Sequence, residues 1–185
     1  APLAVQSIVE TCLRYPRTIF IGNIANVSTS PSVFAHVMCE QPPSAPSVAD
    51  LNSVDLSYVE CNTQLLCVRK TDFHAIGMFQ DVTGGWPNWD DVEFGYRAIR
   101  QGFCFRRNLA AVAYHYDYAL ADLQTASRRW WRASKSAARL GEVCPGILSD
   151  LRMFREKQPI AWRLDSRSLI LNKIARQVVW SWPAM

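Results

Sequence analysis

The chain has 185 residues, 49% hydrophobic and 19% charged, which suits one globular domain with a real core and excludes a disordered polypeptide. No run of eighteen apolar residues occurs, so no spanning helix is expected. The start, Ala1-Pro2-Leu3-Ala4-Val5, has neither an initiator Met nor a basic segment; it reads as a chain cut from something longer, not as a signal peptide. Charge is uneven: residues 1–118 hold eight Lys and Arg against eleven Asp and Glu, and residues 119–185 hold twelve against five. The basic end calls for an anionic partner or surface, while the middle keeps an acidic site.

Leu3 to Leu13 carries apolar residues at helical spacing (Leu3, Val5, Ile8, Val9, Cys12, Leu13) and stops before Pro16. Thr18 to Ile21 is a short β-rich run ended by Gly22. Ser28 to Asp50 is rich in Ser and Pro and reads as a long surface excursion, least ordered from Gln41 to Ser47. Tyr58 to Val68 holds a strand with Leu65 to Val68 as its buried end. Lys70 to Gly77 reads as a short helix with Thr71 as N-cap and Gly77 as C-cap. A helix follows over Asp91–Gln101, with Gly102 just beyond it. Phe103 to Phe105 and Ala110 to Tyr114 read as two short strands. A long amphipathic helix from about Ala121 to Leu140 comes next, and helical stretches over Ile147–Arg155 and Ser168–Trp180 finish the chain. The six cysteines (Cys12, Cys39, Cys61, Cys67, Cys104, Cys144) show no metal-finger spacing and sit among apolar neighbours. A reducing compartment is expected, although the even count leaves pairing open.

The most informative stretch is Gly84-Gly85-Trp86-Pro87-Asn88-Trp89-Asp90-Asp91-Val92-Glu93-Phe94-Gly95-Tyr96-Arg97, closed by Tyr114-His115. Asp90 with Glu93 three residues on can be a capping box. A helix N-terminus also holds a carboxylate ionised, and an ionised carboxylate facing a cleft can accept a proton. Gly84-Gly85 is a turn in the plain reading, with Trp86 and Trp89 in the core. Two Trp within four residues of a polar loop are hard to bury together, and an aromatic face is a recurrent platform for a sugar ring. His115, at the end of an apolar run, is in the plain reading a hydrogen-bonded histidine. Arg97 in the plain reading is a solvated helix cation.

In this order the elements resemble the catalytic half of GT-A-fold glycosyltransferases, above all the inverting family 2 and the related galactosyltransferase C-terminal region. The resemblance spans roughly residues 1–120 and is strongest from Asn62 to His115, with Asn62 and Arg69 as supporting matches. It implies an α/β fold: residues 1–118 as the acceptor-side half of a GT-A domain, and residues 119–185 as a basic helical extension. It implies transfer of a sugar from a nucleotide-sugar donor to a hydroxyl acceptor, glycan or lipid-linked, with inversion. Asp91 would be the base and Asp90 its partner toward the acceptor. Gly84, Gly85, Trp86 and Trp89 would shape the substrate cleft, with Arg97 bracing the acidic pair from behind. His115 would be a ligand to Mn²⁺ or Mg²⁺. The family's Asp-x-Asp metal motif and nucleotide-binding β-α-β half do not precede these residues, so the fragment by itself is expected to be inactive.

The last third carries Arg128, Arg129, Trp130, Trp131, Arg132, Lys135 and Arg139 with no acid between Ala126 and Gly141. A solvated helix with both Trp packed inward is the plain reading. Aromatics beside cations also suit an anionic membrane surface, whereas no nucleic-acid module signature accompanies them. A cytoplasmic protein, peripheral at the inner face of the membrane, is therefore expected. The rival readings are a non-catalytic scaffold that kept the fold and a membrane-surface binding module.

Overall fold

A computed structural model describes residues 2–28, 30–39, 54–82, 84 and 89–181 of the chain. The Gln41–Ser47 segment, Gly85 and Trp86 lie outside the described residues. The chain forms two compact units, Ala1–Val143 and Cys144–Met185.

The first unit is α/β. Helix α1 (Pro2–Arg14) leads into strand β1 (Thr18–Val27), followed by α2 (Val33–Met38), β2 (Val54–Leu56), β3 (Leu66–Cys67), α3 (Lys70–Ile76), α4 (Asp90–Arg100), β4 (Cys104–Tyr116) and α5 (Leu123–Val143). The sheet order is β2-β4-β1-β3, with β4 parallel to β1 and the two short strands antiparallel to their neighbours. Ile19, Phe20 and Ile21 of β1 and Phe105 and Ala111 of β4 are fully buried and form the middle of the core.

Gly22 does not end its strand, and Phe103–Phe105 and Ala110–Tyr114 are not two strands. The pairing of β1 with β4 runs from Thr18↔Cys104 to Gly22↔Asn108, then resumes at Asn23↔Val112. Three residues, 109 to 111, are looped out as a bulge. Asn108 makes this possible. Its Oδ1 accepts from the amides of Ala110 and Ala111 at 3.0 and 3.2 Å, replacing ladder bonds the bulge removes. Its Nδ2 donates to Ser7 and Thr11 of α1, so the helix docks on the bulge. Gly22 lies opposite: a Cβ there would sit 2.8 Å from the Ala111 carbonyl and 2.0 Å from Leu65 Cδ2. The Gly and Asn that look like strand ends are the two halves of one bulge.

The expected strand from Tyr58 to Val68 is instead a 3₁₀ turn, Tyr58–Glu60, closed by Cys61 N–H donating to the Tyr58 carbonyl at 3.0 Å, and then β3 with two half-buried residues. The helix cap at Thr71 is also corrected: Arg69 is the N-cap of α3, and its guanidinium donates to the end carbonyls of α1, Cys12 and Leu13. Gly77 is the left-handed C-cap, at φ 96°. Within the Ser/Pro excursion lies α2, started by Ser32, whose hydroxyl accepts from Ala35 N–H. On α1 it is Cys12 that turns inward, while Val5, Val9 and Leu13 stay exposed.

In the second unit the stretch expected as one helix over Ile147–Arg155 breaks into a 3₁₀ turn, Pro145–Ile147, and α6 (Arg152–Arg155), because Leu151 is extended between them. Helix α7 (Arg167–Ser181) follows, with Lys173 buried on Asp165 at 2.6 Å and on the Pro159 carbonyl at 3.0 Å. Among the described residues, no helix is long and apolar enough to cross a membrane.

Candidate active site

Helix α4 begins one residue earlier than its sequence suggests. Its N-cap is Trp89, held at φ 79°, and the Trp89 carbonyl accepts from Glu93 N–H at 2.8 Å. Asp90 is thus the first residue of the helix, not its cap, and the capping box does not form. A bulky residue in the left-handed region costs of the order of 1–3 kcal/mol and persists only where its surroundings hold it. Here the indole Nε1 donates to the Ala133 carbonyl of α5 at 2.7 Å. The same long helix brings Arg139 to the start of the loop, where a Cβ on Gly84 (φ 68°) would lie 3.0 Å from the guanidinium. Trp89 and Gly84 therefore both stand against α5.

Asp90, Asp91 and Glu93 fall in the first turn of α4, at the positive end of its dipole, and have different roles. Asp90 is exposed. Asp91 is half-buried and accepts from Val92 N–H at 2.9 Å. Burial pushes its pKa up, the charge of Asp90 adds to that, and the backbone amides oppose it. Glu93 is 2% exposed and forms a two-bond fork with Arg97, Nε–Oε1 2.6 Å and Nη2–Oε2 2.9 Å. The remaining donors of Arg97 reach the carbonyls of Ile76 and Met78. Arg97 thus locks the end of α3 to α4 through Glu93, and it supports the acidic turn without facing a cleft.

Gly95 sets the depth of α4. A Cβ there would lie 2.9 Å from the Tyr58 carbonyl and 3.2 Å from Cys61 Cβ, so only a glycine lets the helix rest on that turn. Cys61 is buried beneath the acidic turn, and its thiol is pushed up to about 12 by burial and by Asp91 and Asp90. Such a thiol is inert near neutral pH.

His115 stands opposite Asn26 near the carboxyl ends of the two parallel strands, the edge at which open α/β sheets hold ligands. Its Nδ1 lies 2.8 Å from Gln64 Nε2 and 3.2 Å from Asn26 Oδ1. The Gln64 side chain binds His115, and the backbone of the preceding Thr63 favours the charged form of Asp91, so the dipeptide Thr63-Gln64 lies between the two predicted residues. Asn62, just before it, has a buried Oδ1 without a hydrogen-bond partner among the described residues.

Asp91 and His115 therefore flank one short segment, Asp90 is exposed beside Asp91 at the start of α4, and Trp89 and Gly84 stand against α5. Thr63, Gln64 and Asn26 were missed by sequence reasoning. Their only signal is the polar run Asn62-Thr63-Gln64 ahead of the apolar Leu65-Leu66, and an asparagine, Asn26, near the end of a largely apolar strand.

A divalent ion needs more than this site offers. Among the described residues no three His, Cys, Asp or Glu side chains converge, and the neighbours of His115 are two neutral carboxamides. Within the described residues His115 has no second metal-ligating side chain beside it, so a Mn²⁺ or Mg²⁺ at His115 would depend on carboxylates such as the family's Asp-x-Asp pair, and no step below runs through a metal.

No known protein-family profile matches the chain, and no curated protein sequence matches it significantly.

Proposed function

We propose that the chain is the acceptor-side half of a GT-A-fold inverting glycosyltransferase. The observation that carries this reading is Asp91: a half-buried carboxylate with a raised pKa, at a helix start, with Thr63-Gln64 between it and His115. In the reaction the acceptor hydroxyl gives its proton to the Asp91 carboxylate as its oxygen attacks the anomeric carbon of a nucleotide sugar. The bond from that carbon to the nucleoside diphosphate breaks in line, and the leaving group takes the electron pair. A carboxylate whose pKa is raised is, when ionised, a better proton acceptor than an ordinary one. Trp89, left-handed and held to α5 by its indole, carries strain of the kind that collects at binding sites. His115 and Gln64 offer polar contacts to the acceptor beside the base.

The test is transfer from a panel of nucleotide sugars to saccharide and lipid-linked acceptors by the full-length gene product, read as nucleoside diphosphate release. Asp91→Asn should lose about 10²- to 10⁴-fold in turnover with acceptor binding retained. Undiminished turnover would place the base elsewhere, Asp90 first. Acceptor binding without transfer by the wild-type protein would favour the non-catalytic scaffold.

A second reading, attachment to an anionic membrane surface, is favoured by one observation. Trp130 and Trp131 are not packed inward but are 46% and 59% exposed among the cations of α5.

A further inference from the structure

Two thiols that the candidate site does not use meet elsewhere in the first unit. Cys12, near the end of α1, and Cys67, in β3, bring their Sγ atoms to 2.9 Å across 55 positions of sequence. The elements that carry them are fixed independently of the sulfurs: α1 docks on the bulge through Asn108, and β3 pairs with β1 at Phe20↔Cys67 and Ile21↔Leu66. Arg69 lies over the same spot, donating through Nε and Nη2 to the Cys12 carbonyl at 2.9 and 2.6 Å. The hydrogen bond from Cys67 holds the Cys12 thiol below its ordinary pKa, with the Arg69 charge adding to it against burial; Cys67 is pushed up in turn. One sulfur of the pair is therefore disposed to be a thiolate and the other to keep its proton.

We propose that Cys12 and Cys67 are a redox-active dithiol, which a peroxide closes into a disulfide tying the end of α1 to β3. The Cys12 thiolate attacks one oxygen of hydrogen peroxide, the O–O bond breaks, and hydroxide leaves, giving a sulfenic acid. Cys67, deprotonated by that hydroxide, attacks the Cys12 sulfur and expels its hydroxyl, which takes up a proton to leave as water. Two thiols are oxidised and one peroxide is reduced to two waters. Arg69 is a positioning residue for this chemistry, since its charge favours the thiolate. Cys67 lies three positions after Gln64, so the bond also anchors the segment that lies between Asp91 and His115. The inference rests on thiol geometry and stands whether or not the chain transfers sugars.

The experiment treats the purified chain with stoichiometric hydrogen peroxide, alkylates remaining thiols and maps the products by mass spectrometry. Two of the six thiols should be lost, and the peptide ending at Arg14 should be linked to the peptide ending at Arg69, with fragmentation between Cys61 and Cys67 assigning the partner. Closing a loop of this length should raise the melting temperature by about 10 °C over the reduced protein. Cys67→Ser and Cys12→Ala should each abolish the link and the shift, while Cys61→Ser leaves both intact. Six surviving thiols, a link to another cysteine, or a linked protein that melts no higher than the reduced one would each overturn the proposal.

Discussion

Asp91 owes its chemistry to what surrounds one carboxyl group. Because its folded pKa is raised, chiefly by burial, the folded protein holds the proton more tightly than the unfolded chain does. Stability on this account is greatest below the ordinary carboxylate value, about 3.9, and is lost as pH rises through the raised folded value. Asp91→Asn, which keeps an acceptor for Val92 N–H but no charge, should melt at or above the wild-type temperature at neutral pH. The difference should close as pH falls below the carboxylate range, and thermal melts across pH measure it. A variant less stable than wild type at neutral pH, but not in acid, would mean that the ionised carboxylate supports the fold. Arg97 sets the opposite case. Arg97→Ala strands a buried Glu93 and two carbonyls, and breaking such a pair costs about 3–5 kcal/mol, a large part of a domain's 5–15. Arg97→Lys keeps the charge but loses the fork, so urea unfolding should put it between the two. A lysine variant as stable as wild type would show that a point charge suffices.

At the scale of elements, the glycine between α4 and the Tyr58–Glu60 turn decides where the acidic residues stand. Gly95→Ala places a methyl group against backbone, which cannot yield as a side-chain tip does, and should cost about 1–3 kcal/mol. More tellingly, it lifts α4 from Cys61, whose buried thiol should then alkylate faster than in the wild type; an unchanged rate would mean that the helix tilts at its other end. The periodicity of Val92, Phe94, Gly95 and Ala98 made this helix legible in sequence, as Gly77 and Gly102 made the helix ends. The bulge was not legible, because a glycine and an asparagine mark strand ends as readily as bulges, and only pairing distinguishes them. Nor was the Tyr58–Glu60 turn, whose adjacent Tyr58 and Val59 are residues a strand favours; here Tyr58 is buried against Tyr96 of α4, ring centroids 5.7 Å apart. The acidic pair and His115 could be picked out one by one. Their placement on either side of Thr63-Gln64 could not, since it depends on a backbone group and an unremarkable glutamine brought in by the short strand β3.

Over the whole chain, charge and apolar surface are distributed unevenly, and the first unit shows both on α5. The small residues Ala126, Ala137 and Gly141, with Ser136 and Leu140, form its buried side, so the large and charged residues are turned outward. Trp130 meets Phe34 edge-on at 6.2 Å, which joins α5 to α2, whose Val33 and Val37 are 80% and 74% exposed. Lys135 lies 3.6 Å above the Trp131 ring, an arrangement that lets a cation and an aromatic enter the headgroup region together. Of the five cations, Arg129 is engaged by Asp117, so the attraction is smaller than a count of charges implies. At about 1 kcal/mol for each basic side chain near an anionic leaflet, five cations set an upper bound of roughly 5 kcal/mol, and the partners of Arg129, Lys135 and Arg139 lower it, which makes a weak and readily reversible attachment. Sedimentation with vesicles containing a third of phosphatidylserine should therefore capture the chain at low salt, release most of it at physiological salt, and capture little on neutral vesicles. Arg128→Glu with Arg132→Glu should abolish the lipid dependence without loss of fold, since both side chains are exposed. Trp130→Ala with Trp131→Ala should weaken binding at both salt concentrations, because insertion of apolar surface is not screened. Equal capture by neutral and anionic vesicles, or none by either, would return α5 to a support for Trp89 and Gly84 and nothing more.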